Sequence, residues 1–224
     1  MIHQASVLKA PTKGRDEIQS SKLDYRAARV FNRKTPLFHQ GDAATHFYKV
    51  KTGVVMIFRL LKDSQRQITG FCTEGDFFGL SHDEVHHDTA VAVTTASVIS
   101  MTLAEVRADA ALQRELFERT CYQLEEAQNM MMTLSKKSAG EKVAAFLVML
   151  AKRQGRIEQA SEGEVDVPLP MSRLDIADYL GLTIETVSRR LTVLKSEGII
   201  ELPDRRSAHI CHMGELKQLA GALA

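Results

Sequence analysis

Three side chains toward the C-terminal end, Glu185, Ser188 and Arg189, combine residue types and spacing that suit chemistry on a nucleic acid. On a helix, positions i, i+3 and i+4 share one side. An arginine there offers two parallel donors matching guanine O6 and N7, a glutamate accepts from cytosine N4, and a serine serves either role or meets a thymine methyl. Thr183 and Thr186 flank the triplet and, with the amides of a helix N-terminus, suit phosphate oxygens. Arg173, Arg190 and Lys195 add positive charge for the same purpose. A Glu–Arg pair at this spacing is also an ordinary surface ion pair, worth about a few tenths of a kcal/mol. The surrounding elements must therefore decide.

Those elements predict a helix-turn-helix. Ser172 with Asp175 three residues later marks a capped helix start, and Ile176, Ala177 and Leu180 give that helix one apolar face. Gly181 supplies the backbone freedom for a sharp turn. Thr183 caps a second helix whose Val187, Leu191 and Leu194 face inward, leaving the triplet outside near its N-terminal end. Ile199 to Leu202 and His209 to His212 predict a hairpin wing with Arg205 and Arg206 at its tip. Residues 140–224 hold 11 Lys+Arg against 12 Asp+Glu, so positive charge must gather on one face for duplex binding.

The rest of the chain must position this unit. Its 224 residues suffice for two domains, and a net charge of +1 neither favours nor opposes a nucleic-acid partner. Three widely spaced cysteines, Cys72, Cys121 and Cys211, are no disulfide framework and fit a reducing cytoplasm. The charged N-terminus lacks a signal-peptide core, and the longest charge-free run, Thr89 to Ala104, is too short and too rich in Thr and Ser to span a bilayer, so no membrane partner is expected.

Residues 1–35 are polar and mildly basic, a loose arm with one short helix. Short apolar runs then predict a β-sandwich or β-roll: Phe47 to Val50, an alternation of Val54, Met56, Phe58 and Leu60, Ile68 to Cys72, Ala90 to Thr94, and Ser97 to Met101. One helix is expected from near Leu103 to Lys137. Phe117, Thr120, Leu124, Ala127, Met131 and Leu134 form a seam of coiled-coil spacing along it. Packing on its own sheet is the plainer alternative, but a helix of about thirty residues would outrun strands of about five, which favours pairing with a second copy of the chain. Ser138-Ala139-Gly140 marks a hinge, followed by an apolar helix from Glu141 to Arg153, a polar loop and a strand from Val165 to Leu169. The chain thus divides into an arm (1–24), an α+β assembly of β-roll (25–107) and dimerisation helix (108–137), and a winged helix-turn-helix (138–224).

Other groups have blander readings. His82 to Asp88 holds imidazoles and carboxylates, but polar loops between strands are ordinary, and no metal is expected. His209, Cys211 and His212 on one strand would alternate faces, too divergent to share an ion. Cys72 and Cys121 read as small core residues, and Met130 to Met132 as adaptable packing at the seam.

The run Ile176-Ala177-Asp178-Tyr179-Leu180-Gly181-Leu182-Thr183-Ile184-Glu185-Thr186-Val187-Ser188-Arg189 resembles the signature of the CRP/FNR superfamily of transcription regulators, in the Glu-x-x-Ser-Arg form of its FNR branch. Phe38-x-x-Gly41-Asp42, Phe47-Tyr48-x-Val50-x-x-Gly53-x-Val55 and Gly75-Asp76-Phe77-Phe78-Gly79 resemble that family's cyclic-nucleotide-type β-roll. The resemblance implies a homodimer that recruits RNA polymerase and binds a TTGAT-N4-ATCAA-type palindrome of double-stranded DNA, with Glu185 and Arg189 on the G·C pair and Ser188 on a neighbouring thymine.

Its departures are informative. Where cyclic-nucleotide binders carry a ribose-binding Glu and a phosphate-binding Arg, this chain has Leu80 and Asp88, so no cyclic nucleotide is expected. A carboxylate facing phosphate costs about 1 kcal/mol at 4 Å even in water. No cysteine precedes Cys72, so no iron–sulfur cluster of the family's type is expected, and Gly79 and Ser81 stand where the carbon-monoxide-sensing branch ligates haem. The FixK-type group, active in low-oxygen and nitrogen-oxide metabolism, keeps such a DNA face without those ligands. A sensor gated by haem or another small effector, and a regulatory module of an enzyme, are the alternatives; the chain has no nucleophile–base pair, phosphate loop or zinc motif for the latter.

Overall fold

The computed structural model describes residues 27–62, 65–153 and 164–221. The expected arm at 1–24 and most of the polar loop after Arg153 lie outside the described residues. The N-terminal half is an antiparallel β-roll built from β1 (Arg29–Phe31), β2 (Pro36–Phe38), β3 (Phe47–Thr52), β4 (Val55–Leu60), β5 (Arg66–Cys72), β6 (Phe77–Phe78), β7 (Thr89–Ala92) and β8 (Ala96–Met101). Two four-stranded sheets, in the orders β1-β8-β3-β6 and β2-β7-β4-β5, enclose Phe31, Phe38, Val50, Val55, Phe78 and Val98. Gly53 turns β3 into β4 at φ +87°, where a Cβ would lie 2.5 Å from the Thr95 carbonyl oxygen, so the turn requires glycine.

One expectation for this half is corrected. β1 lies inside the 25–107 boundary of the roll but in the 1–35 stretch read as loose and partly helical; it is a strand, paired with β8 at Arg29–Val98 and Phe31–Ala96. Three residues carrying one buried side chain, Phe31, give no alternation to read. β4 keeps the alternation of Met56 and Phe58, and both its faces are covered: Val55 and Ile57 face the roll interior, while Met56 and Phe58 pack against the C-terminal core, with a register shift between Ile57 and Phe58.

The long helix is broken. α1 (Leu103–Arg107) is closed by a capping box between Thr102 and Glu105, and α2 (Ala110–Lys136) starts afresh at Asp109, whose carboxylate accepts the N–H groups of Ala111 and Leu112 at 3.0 and 3.1 Å. Asp109 competes for amides that a continuous helix would use internally. At 1.5 Å per residue α2 still runs about 40 Å. One side of it grips the roll: Leu112 is buried, Arg119 reaches Asp76 Oδ1 at 3.1 Å, and Gln123 donates to the Phe77 carbonyl at 2.9 Å.

The C-terminal half comprises α3 (Ala139–Arg153), β9 (Val165–Pro168), α4 (Arg173–Leu180), α5 (Ile184–Ser196), β10 (Ile200–Glu201), β11 (Ser207–Ile210) and α6 (Met213–Leu219). The wing is the sheet β10-β11-β9, with Ile200 opposite Ile210 and Ala208 opposite Val167. β11 ends at Ile210, so His212, expected on the wing strand, instead occupies the N-cap position of the unanticipated α6. Phe146, Leu147, Ile176, Leu180, Val187, Leu191 and Leu216 form the core.

That core continues into the roll. Phe71 of β5 meets Phe146 of α3 and Tyr179 of α4 edge-on, at ring separations of 6.4 and 5.3 Å. Arg66 of β5 bonds Asp175 Oδ1 at 2.7 Å and Asp178 Oδ2 at 2.6 Å on α4. Arg153 ties α3 to Glu126 of α2 and to the buried Asp76 of the roll. A largely buried guanidinium is stable there because two carboxylates compensate its lost hydration.

Candidate nucleic-acid interface

α4 begins with a reciprocal cap. Ser172 Oγ accepts the Asp175 N–H at 3.1 Å, and Asp175 Oδ2 accepts the Ser172 N–H at 2.8 Å. Gly181 closes the helix in the left-handed region at φ +61°, its N–H bonded to the Ala177 carbonyl, and α5 starts three residues on. Thr183 Oγ1 accepts the Thr186 N–H at 3.2 Å. Val187, Leu191 and Leu194 are buried and fix the rotation of α5 about its axis.

The opposite side is left to solvent. Glu185, Ser188 and Arg189 are all exposed, and neither charged member has an ion pair among the described residues. The Glu185 carboxyl is held below the ordinary carboxylate range by its own backbone N–H and by the Thr183 hydroxyl, so it remains an acceptor at neutral pH. Thr183, Arg190 and Lys195 are exposed and Thr186 is partly so. The Thr183 and Thr186 hydroxyls lie 3.1 Å apart. Arg190 lays its stem near Gly140, off the triplet's side. Arg173 differs from the others: it is half-buried, its Nη1 is shut off from solvent without a partner, and burial lowers its pKa.

Part of the unit's acidic charge is neutralised away from α5. Asp175 and Asp178 turn toward β5 and are neutralised by Arg66, and Asp166 pairs with His209 at 2.8 Å. Arg189, Arg190, Lys195, Arg205 and Arg206 stay exposed on α5 and the wing tip, where Asp204 shapes the turn by accepting the Arg206 N–H at 2.6 Å. A domain without net positive charge thereby keeps exposed cations on the helix and wing that a duplex would meet.

The side of α2 away from the roll carries the seam. Phe117, Leu124 and Met131 are 70, 59 and 69% exposed, Thr120 and Ala127 are also exposed, and Leu134 is partly covered. Met130 turns instead toward its own chain's core. Cys121, expected in the core, is exposed. Standing four residues after Phe117 and three before Leu124, it belongs to the seam side. Cys72 is buried, and desolvation pushes its thiol up to about 12, which leaves it inert.

A model of the Crp-like helix-turn-helix domain matches residues 141–219, and one of the cyclic nucleotide-binding domain matches residues 28–108. The nitrogen fixation regulation protein FixK of Azorhizobium caulinodans is 39% identical over 194 residues, 85% of this chain and 77% of that protein. The chain belongs to the FixK-type group of CRP/FNR transcription regulators. The transcriptional activatory protein AadR of Rhodopseudomonas palustris is 38% identical over 178 residues, 76% of this chain and 72% of that protein. The solved structure of FixK2 from Bradyrhizobium japonicum superposes with a TM-score of 0.76 at 33% identity, covering 89% of this chain and all of that one. Such relatives are DNA-binding regulators, not enzymes. No helix among the described residues is long and apolar enough to cross a membrane.

In this FixK-type chain the roll interior is filled by rings. His86 stacks on Phe38 at 3.7 Å, Phe38 lies 5.5 Å from Tyr48, and Tyr48 lies 5.3 Å from Phe78. Gly79 runs past them so closely that a Cβ would sit 3.1 to 3.2 Å from Phe38, His86 and Tyr48. Desolvation holds the His86 imidazole below its ordinary pKa, so it is neutral. Asp88 is paired with Arg59 at 3.2 Å, and Leu80 is exposed.

Proposed function

We propose that this FixK-type regulator works as a homodimer, presenting two copies of α5 to successive major grooves of a TTGAT-N4-ATCAA-type palindrome. Glu185 and Arg189 read the G·C pair and Ser188 a neighbouring thymine. Thr183, Thr186, Arg190 and Lys195 hold phosphates and set register. The half-buried Arg173 contributes less than these exposed groups. The observation that carries this reading is the free triplet: the domain is packed against its own roll through α4, yet Glu185, Ser188 and Arg189 project away from that contact. The uncovered apolar seam on α2 supports pairing.

Bound DNA leads to activation through RNA polymerase recruitment in the cytoplasm, under low-oxygen or nitrogen-oxide control; the names of the FixK and AadR relatives support that role. The regulator needs no cyclic nucleotide, iron–sulfur cluster or haem. Asp88 stands where a phosphate would need a cation and already engages Arg59, and the stacked rings take up interior space. Fluorescence anisotropy on a labelled palindrome and a scrambled duplex tests the assignment. Glu185→Ala and Arg189→Ala should each cost about 1–3 kcal/mol on the palindrome and almost nothing on the scrambled duplex. Equal losses on both would reduce these residues to phosphate contacts.

A further inference from the structure

The loop between β6 and β7 brings His82, Asp83 and His87 together, with one ligand atom from each lying within 4.8 Å of the others. His87 Nε2 stands 2.8 Å from Asp83 Oδ1 and 3.0 Å from Asp83 Oδ2, and His82 Nδ1 stands 3.9 Å from Asp83 Oδ1. The two imidazoles face each other with centroids 6.0 Å apart and planes 22° from parallel. We propose that these three side chains form a binding site for a borderline divalent transition ion, zinc in the first instance, with solvent completing the coordination.

Ligand chemistry selects the ion. Two imidazole nitrogens and one carboxylate oxygen suit zinc and its neighbours, whereas magnesium and calcium demand oxygen shells. With metal–ligand bonds of about 2.0–2.1 Å, tetrahedral ligands stand about 3.3 Å apart. The two nitrogen–carboxylate spacings, 2.8 and 3.9 Å, lie about half an ångström either side of that value, and the imidazole nitrogens, within 4.8 Å of each other, close on an ion by rotation of exposed side chains. All three groups are exposed, so an ion can reach them directly.

The backbone is built to present them. Glu84 adopts φ +63°, unusual for a residue with a side chain and costly enough that surrounding contacts must hold it. Those contacts exist: the Ala44 N–H donates to the Glu84 carbonyl at 2.7 Å, Val85 bridges to Ala43, and Ser81 Oγ lies 2.7 Å from both the Val85 carbonyl and Asp83 Oδ1. Ser81 thus orients the carboxylate as outer-shell partners of metal ligands do. At the far end, the His87 carbonyl and the Asp88 carboxylate are both held by Arg59 of β4.

Calorimetric titration of the full-length protein with zinc, in a chloride buffer free of chelators, tests the site. The expected result is one ion per chain with a Kd in the micromolar range. Binding should weaken at least tenfold in His82→Ala, His87→Ala and Asp83→Asn, and stay unchanged in His209→Ala, which removes the separate His209–Asp166 pair. Magnesium at millimolar concentration should not compete. Far-UV circular dichroism should be identical in all variants, since the three side chains are exposed. Absence of zinc uptake would overturn the proposal, as would uptake equal in wild type and in the three loop variants. The site is independent of the DNA-reading assignment, because none of its residues lies on α4, α5 or the wing.

Discussion

Arg66→Met removes the charged clamp between the β-roll and the helix-turn-helix while keeping the aliphatic stem against Phe58, over whose ring the guanidinium sits at 5.5 Å. Arg66, Asp175 and Asp178 have side chains 25, 17 and 22% exposed, between the surface case, worth about 0–1 kcal/mol, and the buried case, where removing one partner costs about 3–5 kcal/mol. The two aspartates fare differently. Asp175 keeps the Ser172 N–H and hydroxyl, at 2.8 and 2.7 Å, whereas Asp178 loses its side-chain partner outright. We therefore expect a loss of about 2 kcal/mol, arising mostly at Asp178. Adding Asp178→Leu should recover at least half of it, since replacing both partners leaves no stranded charge. Urea unfolding by circular dichroism at fixed protein concentration measures both steps; fluorescence would rest on four tyrosines, as the chain has no tryptophan. A single-variant cost below about 0.5 kcal/mol, or a double variant no better than the single, would refute this reasoning.

Placing charge in the seam with Phe117→Glu and Met131→Glu should halve the sedimenting mass and abolish tight palindrome binding; a dimer that survives both would relocate the interface. Thr183→Ala should cost about 1 kcal/mol of stability through its lost cap and weaken palindrome and scrambled duplex alike, so a loss confined to the palindrome would make Thr183 a base reader. His209 is raised above its ordinary pKa, chiefly by its hydrogen bond to Asp166. A raised folded-state pKa gives stability that is complete below the unfolded value of about 6.5 and fades as pH rises through the folded value. His209→Gln should therefore destabilise at about pH 5.5 and cost little at about pH 9, and a pH-independent gap in urea midpoints would contradict the pairing.

Local signals were legible and distant ones were not. Ser172, Asp175, Gly181 and Thr183 specify the helix-turn-helix through neighbours three or four residues apart, and the caps form between those residues. The clamp joins Arg66 to Asp178 across 112 positions, so no window of sequence contains it. The i, i+3 spacing of Asp175 and Asp178 was its one visible trace, an acidic side on a helix whose partner lay in another domain. Packing of the two domains also explains β4: Met56 and Phe58 read as one face of an alternation, whereas the opposite face is covered as well. The break at Asp109 escaped the helical periodicity because the residues on its two sides, Leu103 to Arg107 and Ala110 to Lys136, are both helical. The Glu84 turn gave no warning, because glutamate rarely adopts positive φ, and without it His82 and His87 read as scattered loop residues.

The most direct test of base reading replaces the guanine of each TTGAT half-site with 7-deazaguanine, which deletes the N7 acceptor and leaves O6 and base pairing in place. Wild type should lose about 1 kcal/mol or more per half-site, and Arg189→Ala should lose nothing further, because the contact is already gone. Equal losses in wild type and Arg189→Ala would show that Arg189 does not touch that guanine.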